Sequence, residues 1–139
     1  MKRKNGFTLF ELLVSISIVA ILSALAIVSF SSAQKKARDS RRVQDINLLQ
    51  KAAEQYYMLS NSSYPTSMAI GTSWSAGGQS VLEAVPTDPK GVGYTATFVG
   101  GSSYCICSYV EGLTGNSINA SCDFTTAGIK SYYCVKNQQ

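Results

Sequence analysis

The sequence predicts an α+β protein in which a long N-terminal α-helix packs, by its second half, on a small antiparallel β-sheet of three or four strands. Three observations support this fold class. An apolar run opens the chain, an amphipathic stretch without glycine or proline follows it, and short β-forming segments around a glycine pair lie near the C-terminus. A helix covering one face of an antiparallel sheet buries the apolar surface of both elements.

The apolar run extends from Leu12 to Phe30 and contains only apolar residues and serine. As a helix it would be about 28 Å long, close to the roughly 30 Å hydrocarbon thickness of a bilayer, so we expect it to span a membrane. Two alternatives are an ordinary secretory signal, cut near Ser31, and a plain uncleaved anchor. The length of the run and the acid at its front disfavour an ordinary signal.

That acid, Glu11, needs a positive partner, because a carboxylate carried towards the bilayer centre costs about 2.5 to 3.5 kcal/mol. The apolar run contains no cation. Cleavage between Gly6 and Phe7 would create one, the new α-amino group of Phe7. At about 4 Å and an effective dielectric constant of about 20, this pair contributes roughly 4 kcal/mol before desolvation. Glu11 would then set the lengthwise register between neighbouring helices.

The segment KRKNGFTLFELL, followed by the long apolar helix, resembles the class III leader of type IV pilins and pseudopilins. The resemblance implies that residues 1–6 form a leader peptide, that a prepilin peptidase cuts between Gly6 and Phe7, and that Phe7 is then N-methylated. It also implies that Glu11 pairs with Phe7 of an adjacent subunit during assembly. Phe10 and Val28 depart from the family pattern, since isoleucine and a helix-interrupting proline are common there.

After the apolar run, apolar residues recur at three- and four-residue spacing and form one helix face that we expect to lie against the sheet; they are Val43, Ile46, Leu49, Ala53 and Tyr56. Asn61 and Pro65 are stop signals. We therefore predict one helix over residues 7–60, with residues 7–30 as the membrane or filament-core half. Residues 61–139 form a globular head.

A cationic cluster begins the second half of this helix, formed by Lys35, Lys36, Arg38, Arg41 and Arg42. Nucleic-acid binding is one interpretation, but no aromatic residue interleaves these cations, so a nucleic-acid partner has no further support. The pairs Asp39–Arg42 and Arg41–Asp45 have helix-neighbour spacing, and lipid headgroups lie close by. Removal of the three leader cations would lower the formal charge from +4 to +1, which indicates no general attraction to polyanions.

In the head, YTATFV and SSYCICSYV flank a glycine pair and predict a β-hairpin, and KSYYCVK predicts a last strand. The segment SVLEAV is expected to form one short helical turn. The polar loop before it contains Trp74, which we interpret as a packing anchor. VPTDPKGVGY and YCICSYVEG also resemble the proline-aspartate turn and second strand of pilin and pseudopilin heads, whereas the loop over 65–85 is unmatched.

Cys105 and Cys107 alternate on one predicted strand, so both side chains face the same side of the sheet. Cys122 and Cys134 are their available partners, and an exported head lies in an oxidising compartment, so we expect two disulfides. Four cysteines allow three connectivities. Nesting of an antiparallel chain favours Cys107 with Cys122 and Cys105 with Cys134. A zinc site would require wider spacing than Cys-x-Cys.

The chain contains no histidine, which excludes histidine-based triads and most zinc sites. Asp88 could ligate calcium, but only Glu83 is close in sequence, so a turn is favoured. We expect no cofactor, no metal and no enzymatic activity.

The expected function is that of a type IV pilin, a structural subunit that polymerises through its N-terminal helix into a surface filament for adhesion, motility or DNA uptake. The alternative is a pseudopilin of a type II secretion system. Expected partners are identical or related pilin subunits, a prepilin peptidase, the inner-membrane assembly machinery and, before assembly, membrane lipid. The leader resemblance implies a single-pass inner-membrane precursor with its N-terminus inside, although more cations follow the span than precede it.

Overall fold

The computed structural model describes residues 6–139. Residues 1–5, which carry the cations of the predicted leader, lie outside the described residues. Helix α1 is Leu9–Leu59, and five strands follow it: β1 Trp74–Ala76, β2 Gln79–Leu82, β3 Thr95–Val99, β4 Ser103–Tyr109 and β5 Tyr132–Lys136. The chain divides into two compact units between Gln34 and Lys35. The predicted α+β class is confirmed.

Helix α1 begins two residues after the expected start and ends one residue before the expected end. Its end follows from left-handed backbone at Asn61 and Ser62, with φ of 52° and 59°. The Ser62 N–H donates to the Tyr57 carbonyl over 3.2 Å, which satisfies one of the carbonyls at the end of the helix.

The core of the second unit lies between α1 and a three-stranded antiparallel sheet of order β3-β4-β5. Ile46, Leu49 and Ala53 on the helix are fully buried, as is Ile106 on β4. The helix face predicted from apolar spacing is therefore the face that packs on the sheet. Trp74 is 5% exposed and its Nε1 donates to the Ser67 carbonyl over 3.2 Å, which fits a packing anchor.

Both hairpins of the head turn on a glycine pair. Gly100 and Gly101 have φ of 53° and 75° and join β3 to β4, as the sequence predicts. Gly77 and Gly78, with φ of 57° and 77°, join β1 to β2 in a small second sheet.

The expectation of a helical turn at SVLEAV is wrong, because Ser80–Leu82 belong to strand β2. The Gly77–Gly78 turn pairs Ala76 with Gln79, and this extended register lets Leu82 enter the core opposite Trp74.

Candidate functional site

The first unit presents apolar side chains without any covering surface. Every described residue of this unit, from Gly6 to Gln34, is exposed, and Phe7 and Ile27 retain 83% and 69% of their accessible surface. Within residues 6–139, α1 is the one helix with the length and apolar composition needed to cross a membrane. Such a surface is stable only against lipid or other apolar helices.

Thr8 and Glu11 form a capping box at the start of α1. The Thr8 N–H and Oγ1 donate to Glu11 Oε2 over 2.9 and 2.8 Å, and the Glu11 N–H donates to Thr8 Oγ1 over 3.2 Å. This reciprocal arrangement satisfies free N–H groups at the helix start. Sequence reasoning missed it, although the Thr-x-x-Glu spacing before an apolar run is its usual signal.

The capping box leaves one oxygen of Glu11 available. Both Thr8 donors use Oε2, and Oε1 accepts no hydrogen bond from the part of the chain that the structure describes. A carboxylate can accept at both oxygens, so a cation from another chain has a place at Oε1. Gly6 and Phe7, the predicted cleavage positions, lie in exposed backbone before the helix, and among the described residues nothing beyond the chain neighbours comes within 4 Å of a Cβ placed on Gly6.

In the second unit, buried Arg42 is the centre of an ion-pair cluster. Its Nη1 donates to Asp39 Oδ1 over 2.8 Å and to Glu111 Oε1 over 2.7 Å, while its Nε donates to Asp88. The remaining members contact Glu111: Arg38 at 3.0 Å and Lys90 at 2.7 Å. We refer to these six residues as the ion-pair cluster. Two of the five cations in the predicted patch are thus bound to carboxylates of the head.

Asp39 connects this cluster to the chain after β4. Its carboxylate accepts backbone N–H groups from Glu111 at 3.0 Å, Gly112 at 2.6 Å and Leu113 at 3.0 Å. Burial by itself would raise the pKa of Asp39, but these backbone donors and Arg42 outweigh it and hold the pKa below its usual value. Asp39 is therefore ionised and fixes the loop after β4 to the helix.

Asp88 fixes the loop before β3 in the same way. Burial opposes ionisation, but Arg42 and the Lys90 N–H lower the pKa of Asp88 below its usual value. Hydrogen bonds from Arg38, Lys90 and Arg42 likewise lower the pKa of Glu111. Both carboxylate oxygens of Asp88 accept hydrogen bonds from Arg42. Asp88 thus has a structural role in the head.

The predicted disulfide connectivity is wrong. The structure joins Cys105 to Cys122 and Cys107 to Cys134, instead of Cys107 to Cys122 and Cys105 to Cys134. The strand register is the reason: Cys107 lies directly opposite Cys134 in the β4–β5 ladder, with a Cα–Cα distance of 4.1 Å. Cys105 faces the same side but lies opposite Lys136, so its partner comes from the loop that contains Cys122.

Residues 1–27 of the chain match the model of a protein family described as "Prokaryotic N-terminal methylation motif". The chain is 30% identical over 118 residues to the type IV wide pilus major component PilA4 of Thermus thermophilus, covering 85% of this chain and 80% of that protein. It is 38% identical over 65 residues to the type II secretion system core protein G of Aeromonas hydrophila, covering 47% and 45%. A fimbrial protein of Pseudomonas aeruginosa is 37% identical over 54 residues, covering 39% and 35%.

No solved structure matches the chain. The alignments span four fifths of the Thermus protein but less than half of the Aeromonas and Pseudomonas proteins.

The fold and the N-terminal motif define a class of prokaryotic protein in which an apolar helix carrying a methylation motif continues into an α+β head. Within that class, the chain belongs to the type IV pilin and pseudopilin family.

Proposed function

We propose that this chain is a type IV pilin, a structural subunit that polymerises through its N-terminal helix into a surface filament. The observation that carries the proposal is the fully exposed apolar surface of the first unit, interrupted near its start by one carboxylate, Glu11. Helices of this kind bury their apolar surface against each other without passing through water. The proposal assigns the chain a structural role and no catalytic one.

Assembly begins with the cut between Gly6 and Phe7 and with methylation of the new amine. The Phe7 amine of one subunit then approaches Glu11 of its neighbour, where Oε1 is available while Thr8 occupies Oε2. The neutralised pair passes through the apolar interior at lower cost than a lone carboxylate. Adhesion, motility and DNA uptake are uses of the resulting filament.

Before assembly, the precursor lies in the inner membrane as a single-pass protein with its N-terminus inside and its head outside. It meets the prepilin peptidase and the inner-membrane assembly machinery there. After assembly, it lies in an extracellular filament with related subunits as its partners. The Thermus relative, named as a wide pilus major component and aligned over 80% of its length, supports this proposal.

A second candidate function is that of a type II secretion pseudopilin, favoured by identity to core protein G in several bacteria, such as 32% over 90 residues in Vibrio cholerae. Electron microscopy of sheared cell-surface material distinguishes the two. Long fibres containing this chain support the pilin, whereas their absence together with a secretion defect supports the pseudopilin.

The test of assembly separates the charge of Glu11 from its capping function. Glu11→Gln keeps an acceptor for Thr8 but removes the charge, and Glu11→Val removes both. Both variants should enter the membrane normally and yield at least about tenfold fewer filaments, the effect of roughly 1.4 kcal/mol per subunit contact. Thr8→Val is the matched control, because it removes the Oγ1 contacts of the cap and keeps both the Thr8 backbone N–H contact and the charge of Glu11. It should assemble better than Glu11→Gln, and normal filaments from Glu11→Gln would reject the charge pairing.

A further inference from the structure

The loop after β4 lies beside the first residues of the second unit. A Cβ atom at Gly112 would stand 3.3 Å from the Lys35 Cβ and 3.7 Å from the Lys36 Cγ. Lys35 follows Phe30, the last residue of the apolar run, by five residues, so the chain limits their separation to about 18 Å. When the apolar run is in a bilayer, this loop is therefore restrained close to the bilayer surface.

Two large apolar side chains are exposed in this part of the head. Leu113 is 40% exposed and Ile129 is 89% exposed, and both line a groove of about 410 Å³ together with Tyr109. Glu111 and Lys130 also line the groove, so its surface is mixed. Exposed apolar side chains beside charged groups fit the boundary between headgroups and acyl chains, and Tyr109 is of the type enriched at membrane interfaces.

The charge beside this apolar surface is positive. The carboxylates of Asp39 and Glu111 are committed to the ion-pair cluster and to backbone N–H groups. Within residues 6–139, no carboxylate lies at ion-pair distance from Lys35 or Lys36, and both lysines are exposed. Lysines without carboxylate partners beside exposed apolar side chains complement an anionic lipid surface.

We propose that Lys35, Lys36, Leu113 and Ile129 form a docking surface for the anionic phospholipid headgroups of the membrane that holds the unassembled subunit. The lysines contact headgroup phosphates, and the two apolar side chains enter the boundary between headgroups and acyl chains. Each lysine contributes roughly a fivefold preference for an anionic surface. The head is thereby held on the bilayer until the helix is extracted. This inference rests on the proposed membrane-inserted precursor.

The test uses the full chain at one copy per nanodisc, so that no second subunit can cover the surface. Ile129→Trp is compared with Met58→Trp in nanodiscs that contain brominated phosphatidylglycerol. Met58 is also exposed, at 75%, but lies about 35 Å along α1 from Lys35. Trp74 is buried and common to both variants, so it contributes an equal background.

We expect the lipid to quench the tryptophan introduced by Ile129→Trp at least about twofold more than the one introduced by Met58→Trp. Brominated phosphatidylcholine, or the double substitution Lys35→Gln and Lys36→Gln, should remove most of that difference. Equal quenching at the two positions would overturn the proposal. If quenching at position 129 were unchanged both by neutral lipid and by replacement of the two lysines, the proposed recognition of anionic headgroups would be wrong.

Failure of this proposal is distinguishable from failure of the proposed function. Resistance to alkaline extraction reports helix insertion, and filament yield reports assembly, independently of quenching. Loss of quenching in a chain that inserts and assembles rejects the docking surface alone. Normal quenching in a chain that never forms filaments rejects the pilin function alone.

Discussion

Asp39 and Arg42 lie one turn apart on α1, with 2.8 Å between Oδ1 and Nη1, and together they contact two loops of the head. Asp39 contacts the chain that leaves β4, and Arg42 contacts Asp88 in the chain that approaches β3. The helix therefore holds both ends of the β3–β4 hairpin through one buried pair. This region contains three acids and three cations, so the cluster is close to electrically neutral.

The replacement Asp39→Asn should destabilise the head by about 3 kcal/mol, because it leaves buried Arg42 with fewer partners and weakens three backbone contacts. Asp45→Asn is the matched control: it makes the same chemical change on the same helix, where Asp45 accepts one hydrogen bond from Tyr94 at 2.6 Å. We expect the control to cost about 1 kcal/mol. Urea unfolding in detergent, followed by fluorescence of the single tryptophan, Trp74, measures both. Equal losses of stability in the two variants would contradict the role of Asp39 in the ion-pair cluster.

The head should lose stability in acid. Asp39, Asp88 and Glu111 have pKa values below their ordinary values of 3.8, 3.8 and 4.5, so their ionised forms favour the folded state. Their stabilisation is present above the unfolded pKa and is lost as pH falls through the folded pKa. The free energy of unfolding should therefore decline below about pH 4.5. In Asp88→Asn the decline should be shallower, and an unchanged acid slope would argue against this assignment.

The head should also lose stability in alkali. Glu54 accepts hydrogen bonds from the hydroxyls of Tyr64 at 3.0 Å and Tyr104 at 2.8 Å. Burial and this carboxylate raise the pKa of Tyr64 to about 12 and raise that of Tyr104 well above its ordinary 10.0. The neutral phenols favour the folded state, so stability is present below about pH 10 and is lost as pH rises through the folded pKa. Tyr104→Phe should flatten the alkaline decline, as measured by urea unfolding at about pH 9 to 12.

Local patterns explain which elements could be predicted from the sequence. The β3–β4 hairpin was predictable because its signal, a glycine pair between alternating β-formers, lies within the segment itself. The buried face of α1 was predictable for the same reason, since Ile46, Leu49 and Ala53 recur with the helical period.

The ion-pair cluster was not predictable, because Arg42 is 46 residues from Asp88 and 69 from Glu111. Only the packed fold brings them together. The disulfide pairing failed for a related reason, since it depends on the register of β4 against β5, a long-range property. The β2 strand was missed because SVLEAV has helix-compatible residues and its extended form depends on the preceding turn.

The connectivity of the disulfides can be tested by removing one pair at a time. In the double variant Cys105→Ser and Cys122→Ser, digestion after lysine and glutamate should release a Cys107 peptide linked to a Cys134 peptide. The variant should be less stable by about 3 kcal/mol, as expected for a loop of this size. The double variant Cys107→Ser and Cys122→Ser is the matched control. It leaves Cys105 and Cys134, which are not bonded to each other in the structure. A native-like linked product from that control would restore the nested pairing.

Gly115 allows the segment after β4 to run against strand β5. A Cβ atom at this position would collide with the backbone carbonyl of Tyr132, and the Gly115 N–H donates to the Lys130 carbonyl over 2.8 Å. Gly115→Ala should therefore cost about 3 kcal/mol, since neither backbone can move without breaking its hydrogen bonds. Gly71→Ala provides the comparison: its φ of 74° is unfavourable for alanine, but within residues 6–139 nothing beyond its chain neighbours lies within 4 Å of the new Cβ. We expect that control to cost about 1 kcal/mol in urea unfolding. If the two variants were equally stable, the close approach of this segment to β5 would be wrong.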